Sequence, residues 1–102
     1  MGIEITPDLI VQVSHLYKAL SDPTRLRILT LLEAHEELNV GKIVDKIGLE
    51  QSAVSHQLKI LRDNHLVKTR KVGKVVYYSL DDAHVVDILS ETFEHIYHQK
   101  KL

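Results

Sequence analysis

Apolar side chains recur at helical spacing along most of this chain and give way to strand-like runs in one region only. From Asp8 to Leu20, the residues Leu9, Val13, Leu16, Tyr17 and Leu20 predict a helix, with Thr6 or Asp8 near its start and Pro7 tolerated in its first turn. Ser21-Asp22-Pro23 predicts a fresh start, with Asp22 as N-cap and Pro23 as the first helical residue. Between Pro23 and Ala34, Leu26, Ile28, Leu29, Leu31 and Leu32 cover so wide an arc that this helix must be central to the core. Arg25 and Arg27 are its charged exceptions.

Asn39 to Ile47 predicts a short helix with Val40, Ile43, Val44 and Ile47 facing inward, ended by Gly48. Leu49 bridges a tight turn, and Gln51 to Asn64 predicts a further helix whose Val54, Leu58 and Leu61 face the core. Its opposite face carries Ser52, Ser55, His56, Lys59 and Arg62. A short buried helix, a glycine turn and a helix with small hydroxyls and positive charge outside make a helix-turn-helix. His65 to Val72 and Lys74 to Leu80 are β-branched and aromatic runs hinged at Gly73, which predicts a two-stranded hairpin. A hairpin directly behind a recognition helix is a wing. Lysines on an edge strand can serve only to block aggregation, yet Arg70, Lys71 and Lys74 at the tip are better explained by contact with phosphates. The predicted fold class is therefore mainly α with a small β-hairpin, a winged helix-turn-helix. Residues 1–102 are expected to form one domain, with the DNA-binding region at 39–80 and with dimerisation expected through the first and last helices.

Formal net charge is −1, which alone argues against a nucleic-acid binder; the distribution argues otherwise. From Lys42 to Lys74, eight basic residues stand against three acidic ones, whereas Asp81 to Leu102 holds five acids and two lysines. One face is built to meet phosphate and the other is not.

The last predicted helix, Asp81 to Gln99, concentrates coordinating chemistry: Asp82, His84, His95 and His98. At about 1.5 Å rise per residue His84 and His95 are about 16 Å apart, too far to share one ion. At about 100° per residue the same two lie within about 20° of one face, and His95 and His98 occupy adjacent turns. Two such helices packed antiparallel across a two-fold axis bring Asp82 and His84 of one chain to His95 and His98 of the other. Each resulting site has three imidazoles and one carboxylate, a set suited to tetrahedral zinc. The bland alternative is that these are surface histidines on a hydrophilic dimer rim.

The chain has no cysteine, which excludes disulfides, thiolate sites and cysteine nucleophiles. Neither a signal peptide nor a run of about 18 apolar residues is present, so a soluble, cytoplasmic protein without membrane contact is expected. The opening Met-Gly-x-x-x-Thr fits a myristoylation pattern by coincidence, since nothing basic or lipid-seeking follows it.

The run LSDPTRLRILTLL, followed by IVDKIGLEQSAVSHQLKILRDNHLVKTRKVGKVVYYSL, resembles the ArsR/SmtB family of bacterial metal-responsive repressors across nearly the whole chain. Ser52 to Leu61 carries the specific S-x-x-S-H-Q-L-x-x-L core. Asp82-x-His84 followed by His95-x-x-His98 is similar to the last-helix site of the zinc-sensing, CzrA-like branch. The resemblance implies a homodimeric repressor that binds double-stranded operator DNA and is released by Zn2+, with Co2+ or Ni2+ as other candidates. The family's Cys-x-Cys site falls where this chain has Asn39-Val40-Gly41, so thiolate sensing is not expected. The resemblance also makes the His65 backbone carbonyl a candidate acceptor for the free ring nitrogen of a metal-bound His95. His15 and His35 are expected to be solvated or packing residues, and His56 to touch DNA or brace the motif.

Two other functions compete with the metal-released repressor. A winged-helix regulator without a metal effector would bind DNA equally with and without chelator. A zinc hydrolase needs an open coordination position and a general base, and four protein ligands leave none. No enzyme activity and no small organic substrate are expected.

Overall fold

A computed structural model describes residues 1–101. In chain order the elements are α1 (Pro7–Leu20), α2 (Pro23–His35), β1 (Leu38–Asn39), α3 (Val40–Ile47), α4 (Gln51–Asp63), β2 (Val67–Val72), β3 (Val75–Leu80) and α5 (Ala83–Lys101). Caps set these boundaries. Thr6 Oγ1 accepts from Leu9 N–H, and Asp22 from Arg25 N–H with Pro23 following, as its missing N–H allows. Asn39 accepts from Lys42 N–H to start α3, and Gly48 ends it at φ 80°.

The predicted two-stranded hairpin is in fact the larger part of a three-stranded antiparallel sheet in the order β1-β3-β2. Leu38 and Asn39, assigned from sequence to a loop and a helix start, pair with Tyr78 and Tyr77. Asn39 serves both elements, with its backbone in the sheet and its side chain capping α3. Val72 pairs with Val75, so Gly73 and Lys74 form the two-residue tip. A positive φ of 59° at Gly73, and none at Lys74, is the pattern of a type II′ turn.

The core is the predicted one in part, since Leu26, Leu31, Val40 and Val44, expected inward, are only half-buried around it. Ile28, Leu29 and Leu32 of α2, Ile43 and Ile47 of α3, and Val54, Leu58 and Leu61 of α4 are buried together with Leu66, Val67 and Leu80. Val85 and Leu89 of α5 close the same cluster. Arg27 reaches across to donate to the Ile47 carbonyl at the end of α3, at 3.2 Å.

The junction between recognition helix and wing is tightly specified. His65 N–H bonds to the Arg62 carbonyl and Leu66 N–H to the Leu61 carbonyl, while His65 sits at φ 58°. These are the two hydrogen bonds and the left-handed residue of a Schellman ending, sealed by Leu66 against Leu61. A side chain at that φ costs about 1 kcal/mol relative to glycine. His65→Gly is accordingly expected to raise stability by about 1 kcal/mol, read as a higher denaturant midpoint at unchanged slope.

Candidate nucleic-acid interface and metal centre

The outward face of α4 presents Ser52, Ser55, His56 and Lys59 to solvent, as the apolar spacing requires once Val54, Leu58 and Leu61 are buried. Lys59 pairs with Asp63 one turn on, at 3.0 Å, with both side chains mostly exposed. Such a pair is worth about 0 to 1 kcal/mol and yields readily to a phosphate. His15 and His35 are exposed as well.

The wing departs from expectation at one residue. Lys71 and Lys74 lie at or beside the tip and are exposed, but Arg70 stands further back on β2, paired with Tyr77. Its guanidinium donates through Nε and Nη2 to the Glu37 carboxylate at 3.0 and 2.7 Å and lies 5.0 Å from the Tyr77 ring centroid. This fork ties the wing to the loop before β1. The hydrogen bond from Arg70 holds the Glu37 carboxyl below its usual range. The clasp is thus fully formed above the ordinary carboxylate pKa and is lost only as pH falls through that lowered value.

At the other pole, Asp82 is not within the last helix as predicted but caps it. Its Oδ1 accepts from His84 N–H at 2.9 Å and Val85 N–H at 3.3 Å, so the helix begins at Ala83. Its Oδ2 lies 3.4 Å from His84 Nδ1. Desolvation pushes the Asp82 pKa up most strongly. The His84 imidazole and the N–H groups of Val85 and His84 together outweigh it and hold the group below its usual range. This pair is a side-chain contact in its own right; once the ring nitrogen gives up its proton, the two atoms would lie at the separation of two donors on one tetrahedral zinc. Bonds of about 2.0 to 2.1 Å place such donors about 3.3 Å apart.

His95 and His98 are exposed on the later turns of α5. Among the described residues of the single chain, no group of three or more potential ligands is brought together. The two halves sit at separate ends of α5. The molecule also leaves apolar side chains exposed: Ile10, Val13 and Tyr17 on α1, and Phe93, Ile96 and Tyr97 on α5, are between 44% and 59% exposed. Tyr17 and Leu26 face Phe93 and Ile96 across an open groove of about 290 Å³.

The Asp82 end of α5 also adjoins the wing and the end of α4. Leu80, the last residue of the wing, lies two positions before Asp82. Asp81 N–H donates to the Leu66 carbonyl, immediately after the Schellman ending of α4, at 3.1 Å.

A sequence profile described as bacterial regulatory protein, arsR family, matches residues 22–69. A Synechocystis protein named transcriptional repressor SmtB homolog is 46% identical over 85 residues, covering 83% of this chain and 64% of that protein. The cadmium resistance transcriptional regulatory protein CadC homolog of Staphylococcus aureus is 40% identical over 85 residues, covering 83% of this chain and 70% of its own length. The chain belongs to the ArsR family. Its fold matches the solution structure of a homodimeric winged helix-turn-helix DNA-binding domain from Mycobacterium bovis, itself a possible ArsR-family regulator. The TM-score is 0.81 at 28% identity, covering all of this chain and 94% of that one. ArsR relatives of this kind are transcriptional regulators, and the chain is not an enzyme. No helix among the described residues is long and apolar enough to cross a membrane.

What the sequence missed in this region is non-local. Glu37 and Arg70 are 33 residues apart, and Arg25 and Gln57, which also bond, are 32 apart. No periodicity within one element could have announced either pair.

Proposed function

We propose that this ArsR-family chain is a cytoplasmic, zinc-responsive repressor that grips operator DNA as a homodimer and lets go when metal bridges its last helices. The observation that carries this reading is the arrangement of α5. An ionised Asp82 beside His84 starts the helix, His95 and His98 follow toward its other end, and the apolar faces of α1 and α5 wait for a partner. An antiparallel pairing of two α5 helices covers that apolar surface and completes two ligand sets at once.

Asp82 and His84 of one chain with His95 and His98 of the other would hold the zinc, which would supply a cross-link between subunits. Asp82 and His84 anchor one side of it, two residues from the wing and one hydrogen bond from the end of α4. A shift at that anchor therefore reaches both DNA-contacting elements. The ligand set contains only nitrogen and oxygen donors, which favours zinc over softer ions; cobalt accepts the same geometry, and nickel calls for further ligands. The cadmium in the name of the Staphylococcus relative is that protein's, and this chain lacks the thiolates such an ion prefers.

On DNA, Ser52, Ser55, His56 and Lys59 face the major groove, and Lys71 and Lys74 lie along phosphates, with Arg70 bracing the wing behind them. Lys74→Ala is expected to weaken binding to all sequences alike and to reduce the salt slope by about one unit, and Arg70→Ala by less. Anisotropy titrations at several salt concentrations measure both slopes; unchanged slopes for Lys71→Ala and Lys74→Ala would take the wing out of the interface. The overall reading is tested by titrating operator DNA with chelated protein and again with zinc, cobalt or nickel present. Equal affinity in all four would leave a DNA-binding regulator without a metal effector.

A further inference from the structure

Arg25 interrupts the apolar arc of α2, and the structure gives it a task there. Its Nε donates to the Ala19 carbonyl at 2.7 Å and its Nη2 to the Lys18 carbonyl at 3.3 Å, both in the last turn of α1. Its Nη1 donates to Gln57 Oε1 at 2.9 Å, on α4. Arg25 and Gln57 are both half-buried, and the Arg25 backbone is pinned by the Asp22 cap.

The physical content of this arrangement is directional. Carbonyls at a helix end lack intrahelical donors and carry the negative end of the dipole. The Lys18 carbonyl already accepts from the Ser21 N–H and hydroxyl, so the guanidinium's main contribution is its short bond to the Ala19 carbonyl, which holds the end of α1. The same planar fork has donors left over for a third direction, which a lysine ammonium cannot match. Between α1 and α4 runs an open groove of about 320 Å³, with Lys18 and Ala19 on one wall and Ile60 and Asn64 on the other. Arg25 lines this groove and reaches both helices. The inner face of α4 rests on Val54, Leu58 and Leu61, all fully buried, and the Arg25–Gln57 hydrogen bond adds one directional contact at the edge of that non-directional packing.

We infer that Arg25 is a positioning residue for operator recognition, fixing through Gln57 the rotation of the recognition helix relative to α1, the helix that carries the exposed apolar face toward the two-fold axis. The inference rests on the reading of the chain as a dimeric operator binder. It assigns to the pair a role in specificity rather than in grip, because both side chains are half-buried and bonded to each other, away from the exposed Ser52, Ser55 and Lys59.

The test uses the full chain, metal-free, with a duplex that the wild type selects from a randomised pool and a scrambled duplex of equal composition. Gln57→Met keeps length and removes the acceptor; Arg25→Lys keeps charge and removes the fork. Each is expected to lower the ratio of selected to scrambled affinity about tenfold, and the double variant little more than either alone. Affinity for the scrambled duplex, its salt slope and the dimer mass should not change. Gln57→Glu, which keeps an oxygen in reach of Arg25, should retain the ratio. Losses that multiply in the double variant would mean that the residues act independently and would overturn the inference. So would equal losses on both duplexes, or no loss with Gln57→Met. A wild type that selects no duplex would instead remove the operator-binding reading itself, and this inference with it.

Discussion

Replacing Asp82 and His84 by alanine, or His95 and His98 by alanine, is expected to abolish tight zinc binding in either homodimer, and mixing the two variants is expected to bring back one site per dimer. The rise of an α-helix sets this outcome. His84 and His95 are about 16 Å apart along α5 at about 1.5 Å per residue, so one chain cannot close a site about 4 Å across. In the mixed dimer the first subunit still offers His95 and His98, and the second still offers Asp82 and His84. Those intact halves meet at one end of the antiparallel pair, and the damaged halves meet at the other. With cobalt in place of zinc, the restored site should show a tetrahedral absorption spectrum at half the wild-type stoichiometry. A site built within one chain could not be rescued, since every chain present would be broken. A mixed dimer, verified by mass, that binds no metal would refute the shared site.

The second large effect is on DNA. Saturating zinc is expected to lower operator affinity by about 100-fold, near the top of the range of about 5- to 150-fold that allosteric couplings commonly span. A repressor that must release its operator needs that magnitude, because smaller couplings leave much of the operator occupied. The route is short: the Asp82 cap and the His84 ring share the start of α5 with the Asp81 to Leu66 hydrogen bond and follow directly on β3. Removing His84 should therefore abolish the zinc effect while leaving metal-free operator binding intact.

The winged helix-turn-helix was legible in the sequence wherever one physical pattern decides one element. Val54, Leu58 and Leu61 announced the buried side of α4, and Gly48 the turn before it, because only these choices satisfy the burial and the positive φ observed. The third strand escaped since two residues are too few to show a period, and Asn39 there already had a local use as a cap. Asp82 was recognised as chemistry but misplaced in the helix; a carboxylate that accepts the first N–H groups belongs before a helix, not inside it. Arg70 read as a wing-tip cation because the register was unknown, and the Val72 to Val75 pairing moves the tip past it. The two halves of the proposed metal site are read from spacing along α5 alone. Their closure depends on a second chain, and no single-chain pattern could display it.

A metal held by α5 and DNA held by α4 and the wing are expected to compete through the dimer. Reciprocity of linkage makes this competition measurable from the metal side. The decisive measurement is the zinc affinity of the free dimer and of the dimer saturated with operator duplex, by competition with a chelator of known affinity. The expected result is weaker zinc binding in the complex, by the same factor as zinc weakens operator binding. Equal zinc affinity in the two states would contradict the sensing role, even with the metal site intact.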